Sequence, residues 1–227
     1  MAKKQNQSAR TTLEEVNESL TTAAQRIEDN KKYINWALIA IGVIALLAIG
    51  YIYGIRNPNL NKAQEEIGKA DLIKVQDGAE DEALKAYEKV ADEFNNIYGE
   101  RAELEAAILL YKKGEYEKAL KHLEDYSPDG NLVGPASQSL MGDCYVNLKK
   151  YDKALSCYDK AISLAKGNED YVPAFMIKKA TVLHEQKKYA EEAAIYQDIK
   201  DNFLMFSQQT GFNVDKYLER ANALAGK

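Results

Sequence analysis

A run of 23 residues without a charge, Tyr33 to Ile55 between Lys32 and Arg56, constrains this chain more than any other feature. At about 1.5 Å of rise per residue, a helix over it is roughly 34 Å long, enough to cross a hydrocarbon core of about 30 Å with slight tilt. Tyr33 and Trp36 stand at one end and Tyr51 and Tyr53 at the other, where amphipathic rings favour the headgroup boundary, while Lys31, Lys32 and Arg56 close the ends. The polar lead of 32 residues is long for a cleaved signal sequence, and Gly50 to Pro58 offers no small-x-small cleavage site. The segment reads as an uncleaved signal anchor. It divides the chain into a tail (1–32), a transmembrane helix (33–55) and a polar body (56–227).

Basic residues close to a span tend to stay cytoplasmic, and long domains translocate largely regardless of charge. The Lys31-Lys32 pair abuts the span and the tail holds six bases (Lys3, Lys4, Arg10, Arg26, Lys31, Lys32), so the expected orientation is tail inside and body outside. Five acids (Glu14, Glu15, Glu18, Glu28, Asp29) leave the tail at +1, and the chain's total of −5 then puts the body at −6. An acidic body is a poor nucleic-acid binder. In the tail, Thr12 and Glu15 have the spacing of a capping box, and Leu13, Val16, Leu20 and Ile27 follow at helical intervals, which predicts a short helix leading into the membrane.

The body repeats. With Tyr116, Tyr151 and Tyr189 aligned, the residue nine before is small (Ala107, Gly142, Ala180) and the residue six before is large (Leu110, Tyr145, Leu183). Seven after comes Leu123, Tyr158 or Tyr196, and three later Tyr126, Ala161 or Ile199. The tyrosines are 35 and 38 residues apart, and a Gly or Lys-Lys turn precedes each, so every unit is two antiparallel helices. Small residues let paired helices approach, and large ones fill the space between units. No pair buries its own face, which makes stacking obligatory and predicts an all-α solenoid with a concave wall. Pro135 and Pro173 fall near the first turns of two leading helices, where a missing N–H is harmless. Cys144 and Cys157 could form one disulfide in an oxidising compartment, but they lie on two predicted helices as isolated small residues and read rather as buried free thiols.

These columns resemble the tetratricopeptide repeat, and Leu140-Met-Gly-Asp-Cys-Tyr-Val-Asn-Leu-Lys-Lys-Tyr-Asp-Lys-Ala-Leu-Ser-Cys-Tyr-Asp-Lys-Ala-Ile162 is the fullest copy. The unit from about Glu100 to Tyr126 matches well. The fourth unit departs from the pattern, with Glu192 where a small residue is expected and Ala193 one place late. A degenerate first unit covers Asn61 to Asn96, with Ala83, Tyr87 and Val90 at second-helix spacing and an insertion needed near Asp77-Gly78. From Phe203 the pattern stops, and Asn213 is placed to cap a last helix carrying Tyr217, Leu218, Ala221 and Leu224. The expected architecture is about four units and a C-terminal capping helix behind one transmembrane helix.

Recognisable catalytic parts are absent. His122 and His184 are the two histidines, and neither has metal-ligand spacing. There is no Gly-rich phosphate loop, no G-x-S-x-G and no C-x-x-C, so no enzyme, metal or cofactor is expected. The acids alternate with Lys as solvated helix faces. By the repeat register Leu104, Ile108, Tyr111, Asp143, Asn147, Thr181 and His184 line the concave wall and form the candidate partner-binding groove.

Tail, single span and repeat body together look like the YfgM-type ancillary subunits of the SecYEG translocon, in the bacterial inner membrane with the C-terminal domain in the periplasm. That resemblance implies a non-enzymatic scaffold that assists protein export or folding, with export-channel subunits, periplasmic chaperones and nascent chains as partners. The alternative is a cytosol-facing receptor or assembly platform. The Lys and Asn clamp of chaperone-binding relatives is missing from the corresponding columns, which read Leu104, Ser139, Ile177 and Ile108, Asp143, Thr181.

Overall fold

Helix is the only regular structure among the described residues of the computed structural model, which are 28–126 and 133–226 with Leu20, Thr21 and Gln25. The chain divides into two units, 1–59 and 60–227. In the first, α1 (Lys31–Tyr51) is followed by a π-helical turn, Ile52–Arg56, and neither buries a residue. Trp36 is 64% exposed and Leu46 69%, so the apolar surface is open all round the helix. By length and composition α1 is sufficient to cross a membrane. The tail helix expected from Thr12 and Glu15 lies outside the described residues.

The second unit is a succession of helix pairs: α2 (Asn57–Lys74) with α3 (Glu80–Glu93), α4 (Ile97–Lys112) with α5 (Tyr116–Asp125), α6 (Val133–Asn147) with α7 (Tyr151–Leu164), and α8 (Tyr171–Glu185) with α9 (Tyr189–Asn202). A short α10 (Leu204–Thr210) and α11 (Val214–Leu224) complete it. Pro135 and Pro173 are the third residues of α6 and α8, both buried, where the helix has no carbonyl to offer their nitrogens. Asn213 caps α11, its side chain accepting from the Lys216 N–H at 3.0 Å. Cys144 and Cys157 are both free, the first buried and the second half-buried.

The turns inside the last three pairs are three residues long and pass through the left-handed region, at Gly114 (φ 81°), Lys149 (φ 56°) and Lys187 (φ 59°). The first pair has five residues between its helices, 75–79, which is the insertion the sequence demanded near Asp77-Gly78.

The aligned columns are the core. Ala107 and Ala180 are fully buried, as is Gly142, and Leu123, Tyr158 and Tyr196 are each 2–3% exposed. A Cβ built on Gly142 would stand 2.5 to 2.9 Å from the Tyr158 ring, so only glycine lets that ring lie flat on α6. Buried apolar residues from Ala63 to Cys144 form one cluster and those from Ala161 to Ala221 another. Between the two lies a small third cluster, Ala154, Tyr158 and Val182, with Tyr145, Val146, Tyr151 and Leu155 partly buried against it.

A second column runs four residues before Tyr87, Leu123, Tyr158 and Tyr196, and reads Ala83, Ala119, Ala154, Glu192, all 0% exposed. The carboxylate that replaces the fourth alanine is satisfied on both oxygens: His184 Nδ1 lies 2.8 Å from Oε2 and Arg220 of α11 donates to Oε1 at 2.8 Å. The departure from the repeat therefore ties the fourth pair to its capping helix.

Gly142→Leu should cost about 1 to 3 kcal/mol by overpacking, while exposed Lys166→Glu should stay within about 0.5 kcal/mol; equal melting temperatures for Gly142→Leu and wild type would refute the packing. Arg220→Ala strands half of a buried carboxylate and should cost about 2 to 3 kcal/mol, the low end for such pairs because the guanidinium is partly solvated and His184 remains. Glu192→Ala, which restores the column, should by contrast be near neutral in the same thermal denaturation.

Candidate interaction groove

Three leading helices and one returning helix enclose a cavity of about 200 Å³ lined by Tyr111 of α4, Asp143, Val146 and Asn147 of α6, Tyr158 of α7, and Lys178, Thr181 and Val182 of α8. Positions Asp143 and Asn147 are one turn apart on the same face of α6, as Lys178 and Thr181 are on α8. Asp143 organises the floor. Its Oδ1 accepts from the Tyr158 hydroxyl at 2.7 Å and its Oδ2 from Lys178 at 2.5 Å, so one carboxylate joins both helices of its own pair to the next pair. The Asn147 amide donates to the Asp143 backbone carbonyl at 2.9 Å, and the Thr181 hydroxyl to that of Ile177 at 3.0 Å. Tyr111 is held edge-on against Tyr116, with ring centroids 5.6 Å apart.

Among the described residues the same device occurs once more. Asp71 of α2 accepts from the Tyr87 hydroxyl at 2.7 Å and from Arg101 of the following pair at 2.8 to 2.9 Å on both oxygens. A tyrosine from the returning helix and a cation from the next leading helix thus meet on one aspartate at two places in the solenoid.

Of the seven residues read from the sequence, Tyr111, Asp143, Asn147 and Thr181 line this cavity together. Leu104 packs partly buried against the core, and Ile108 is half-buried one turn before Tyr111. His184 points instead to Glu192, with its ring edge-on to Tyr189 at 5.4 Å. Val146, Tyr158, Lys178 and Val182 complete the lining beyond the positions that the register gives. The signal for Lys178 was present, since an aspartate and a lysine 35 residues apart repeat the period of the units.

The profile of the tetratricopeptide repeat matches residues 135–168, which span α6, α7 and the loop after them. The solenoid fold has solved counterparts: the nearly identical TPR-like repeats of a kinesin light chain candidate from Podosopora anserina and a point variant of the same protein each align with TM-score 0.56 and 14% identity, over 73% of this chain and 87% of theirs. Residues 135–168 match a tetratricopeptide repeat, and the body has the fold of a TPR-like solenoid. A TPR repeat-containing protein of Methanocaldococcus jannaschii, MJ0940, is 33% identical over 72 residues, which are 32% of this chain and 21% of the relative's length. Tetratricopeptide repeats are protein–protein interaction scaffolds, and their usual ligands are proteins or peptides.

Burial disfavours ionisation of the stacked tyrosines and so raises their pKa values. Tyr158 is pushed far up by burial first and then by the charge and hydrogen bond of Asp143, Tyr87 likewise by burial and Asp71, and Tyr196 to about 12 by burial and Glu192. Burial, with Asp143 behind it, also raises Tyr111, against a hydrogen bond from Asn147 that lowers it. Each folded value lies above the unfolded value of about 10, so the stabilisation is intact below about pH 10 and is lost as pH rises toward the folded values. In an alkaline titration, tyrosinate absorbance at 295 nm for these residues should appear together with loss of helical circular dichroism. Tyr158→Phe should make that unfolding less steep. Full ionisation of the tyrosines with the helices intact would refute the burial.

Proposed function

We propose that this chain is a membrane-anchored scaffold that holds segments of other proteins in its tetratricopeptide groove, outside the cytoplasm and beside the protein-export channel. The observation that carries the reading is the cavity shared by Tyr111, Asn147 and Thr181, which come from three successive repeats. Tyr111, Val146 and Val182 give it an apolar interior, and Asn147, Thr181 and Lys178 give it a polar edge. A segment laid across the repeats can seat one large apolar side chain there and meet the polar edge with its backbone. Leu104 and Ile108 extend the surface along α4.

The anchor is supported by α1, whose apolar side chains find no protein to cover them; a helix hydrophobic all round needs another apolar medium. Orientation with the body outside is supported by Lys31-Lys32 at the inner end of the span. Work on emerging or partly folded chains suits a groove of small volume and mixed polarity, which can grip many sequences by a few anchors.

The test is photo-crosslinking from positions 111, 147 and 181 of the full chain in native membranes, with mass spectrometry of the adducts. Export-channel subunits, periplasmic folding factors or secreted chains in transit are expected, and the Ile108→Ser/Tyr111→Ala double variant should lose most of these adducts with its melting temperature within a few degrees of wild type. Adducts from the span or the tail alone, or a cytoplasm-dependent reporter fused after Lys227 that is active, would defeat the proposal.

A further inference from the structure

Away from the groove, the loop between α7 and α8 and the segment after α9 form two adjoining cavities. The first, about 310 Å³, is lined by Ile162, Ser163, Lys166, Val172 and Phe203 among others. The second, about 260 Å³, is lined by Phe203, Leu204, Met205, Phe206 and carboxylates of Glu169, Asp170 and Asp201. Glu169 and Phe203 belong to both, so the two share a wall.

Two features of this region are out of place in a structural end-piece. The end of a solenoid ordinarily carries a polar outer face, because no further repeat covers it. Here α10 exposes Leu204 at 64% and Met205 at 55%, with Leu164 and Tyr171 also exposed at the two ends of the α7–α8 loop. The repeat pattern does not require α10 at all, since α11 already covers the last pair through Val214, Leu218 and Ala221. The rim is also acidic without compensation: among the described residues Glu169, Asp170 and Asp201 have no cationic partner within ion-pair distance, although most acids near the repeat junctions do. Asp201 is fixed by the Gln197 amide, 2.9 Å from each oxygen, which holds the charge in place and does not neutralise it. Lys166 lines the first cavity alone and leaves the rim of the second purely acidic.

We infer that these paired cavities are a second docking surface, and that its occupant is a cationic segment of another protein carrying two neighbouring large apolar side chains. The apolar floor around Phe203 takes the side chains, each cavity lying near the lower end of ligand-pocket volumes of about 300 Å³. The three carboxylates select Lys and Arg beside them. An anionic bilayer is disfavoured by the same charges. A second copy is disfavoured as well, because a two-fold contact would set the acidic rim against itself. The groove and this surface are lined by different residues, so one chain can hold two partners at once.

The experiment uses the full chain in zwitterionic nanodiscs and two fluorescein-labelled helical peptides of identical leucine pattern, one with Lys and one with Glu at every polar position, read by fluorescence anisotropy against empty discs. The Leu/Lys peptide should bind at least tenfold more tightly than the Leu/Glu peptide. Binding should fall at least tenfold in Met205→Glu and in Glu169→Lys/Asp201→Lys, and stay within twofold in Ile108→Ser/Tyr111→Ala. All substituted rim positions are exposed, and circular dichroism melts verify that each variant is folded. Rim variants that bind like wild type overturn the inference, as does equal binding of the Leu/Glu peptide. Self-association of the chain that Met205→Glu abolishes also overturns it, because the occupant would then be a second copy.

Discussion

Everything in the solenoid depends on how closely a returning helix can lie on its leading partner, as the Tyr158 ring does against Gly142. A glycine removes the atom that would stand between ring and backbone, and the ring then reaches far enough across α6 for its hydroxyl to find Asp143. Asp143 in turn fixes Lys178 of the next pair. A steric allowance inside one unit is thereby converted into a polar link between units. The link is worth having because its members are buried or half-buried and fully partnered, whereas the same charges on an open face would contribute little.

The fourth pair handles the same geometry differently. Its small-residue column carries Glu192, which would be a costly defect without His184 and Arg220. Because Arg220 comes from α11, the capping helix completes the core and also supplies the guanidinium that meets the second oxygen of Glu192. This makes the last pair and its cap interdependent, and it explains why an end helix that matches no repeat column packs so firmly.

Periodicity made most of the architecture legible. A tyrosine every 35 to 38 residues fixes helix pairing, turn position and which side chains are buried, and the structure places Ala107, Gly142, Ala180, Tyr158 and Tyr196 accordingly. The first pair resisted alignment because its turn is two residues longer, which slides one helix past the register. Tyr111, Asp143, Asn147 and Thr181 could be brought to one place from register alone, since register says where a side chain projects. It does not say what the side chain will bond. His184 follows the register of its helix yet is drawn to Glu192, and Lys178 reads in sequence as one more solvated lysine until Asp143 is seen across from it. The cavities around Phe203 had no sequence signal, because they are made by loops and a short helix outside the repeat.

The distribution of the core has a mechanical meaning. Among the described residues, two large apolar clusters are joined through Ala154, Tyr158 and Val182 and the ion pair above them, and the groove cavity opens at that joint. A stack of repeats behaves as a spring whose stiffness is the sum of its nearest-neighbour interfaces. On the proposed reading, a segment seated between Tyr111 and Thr181 would splint that joint, and its grip would follow the curvature the rest of the solenoid imposes.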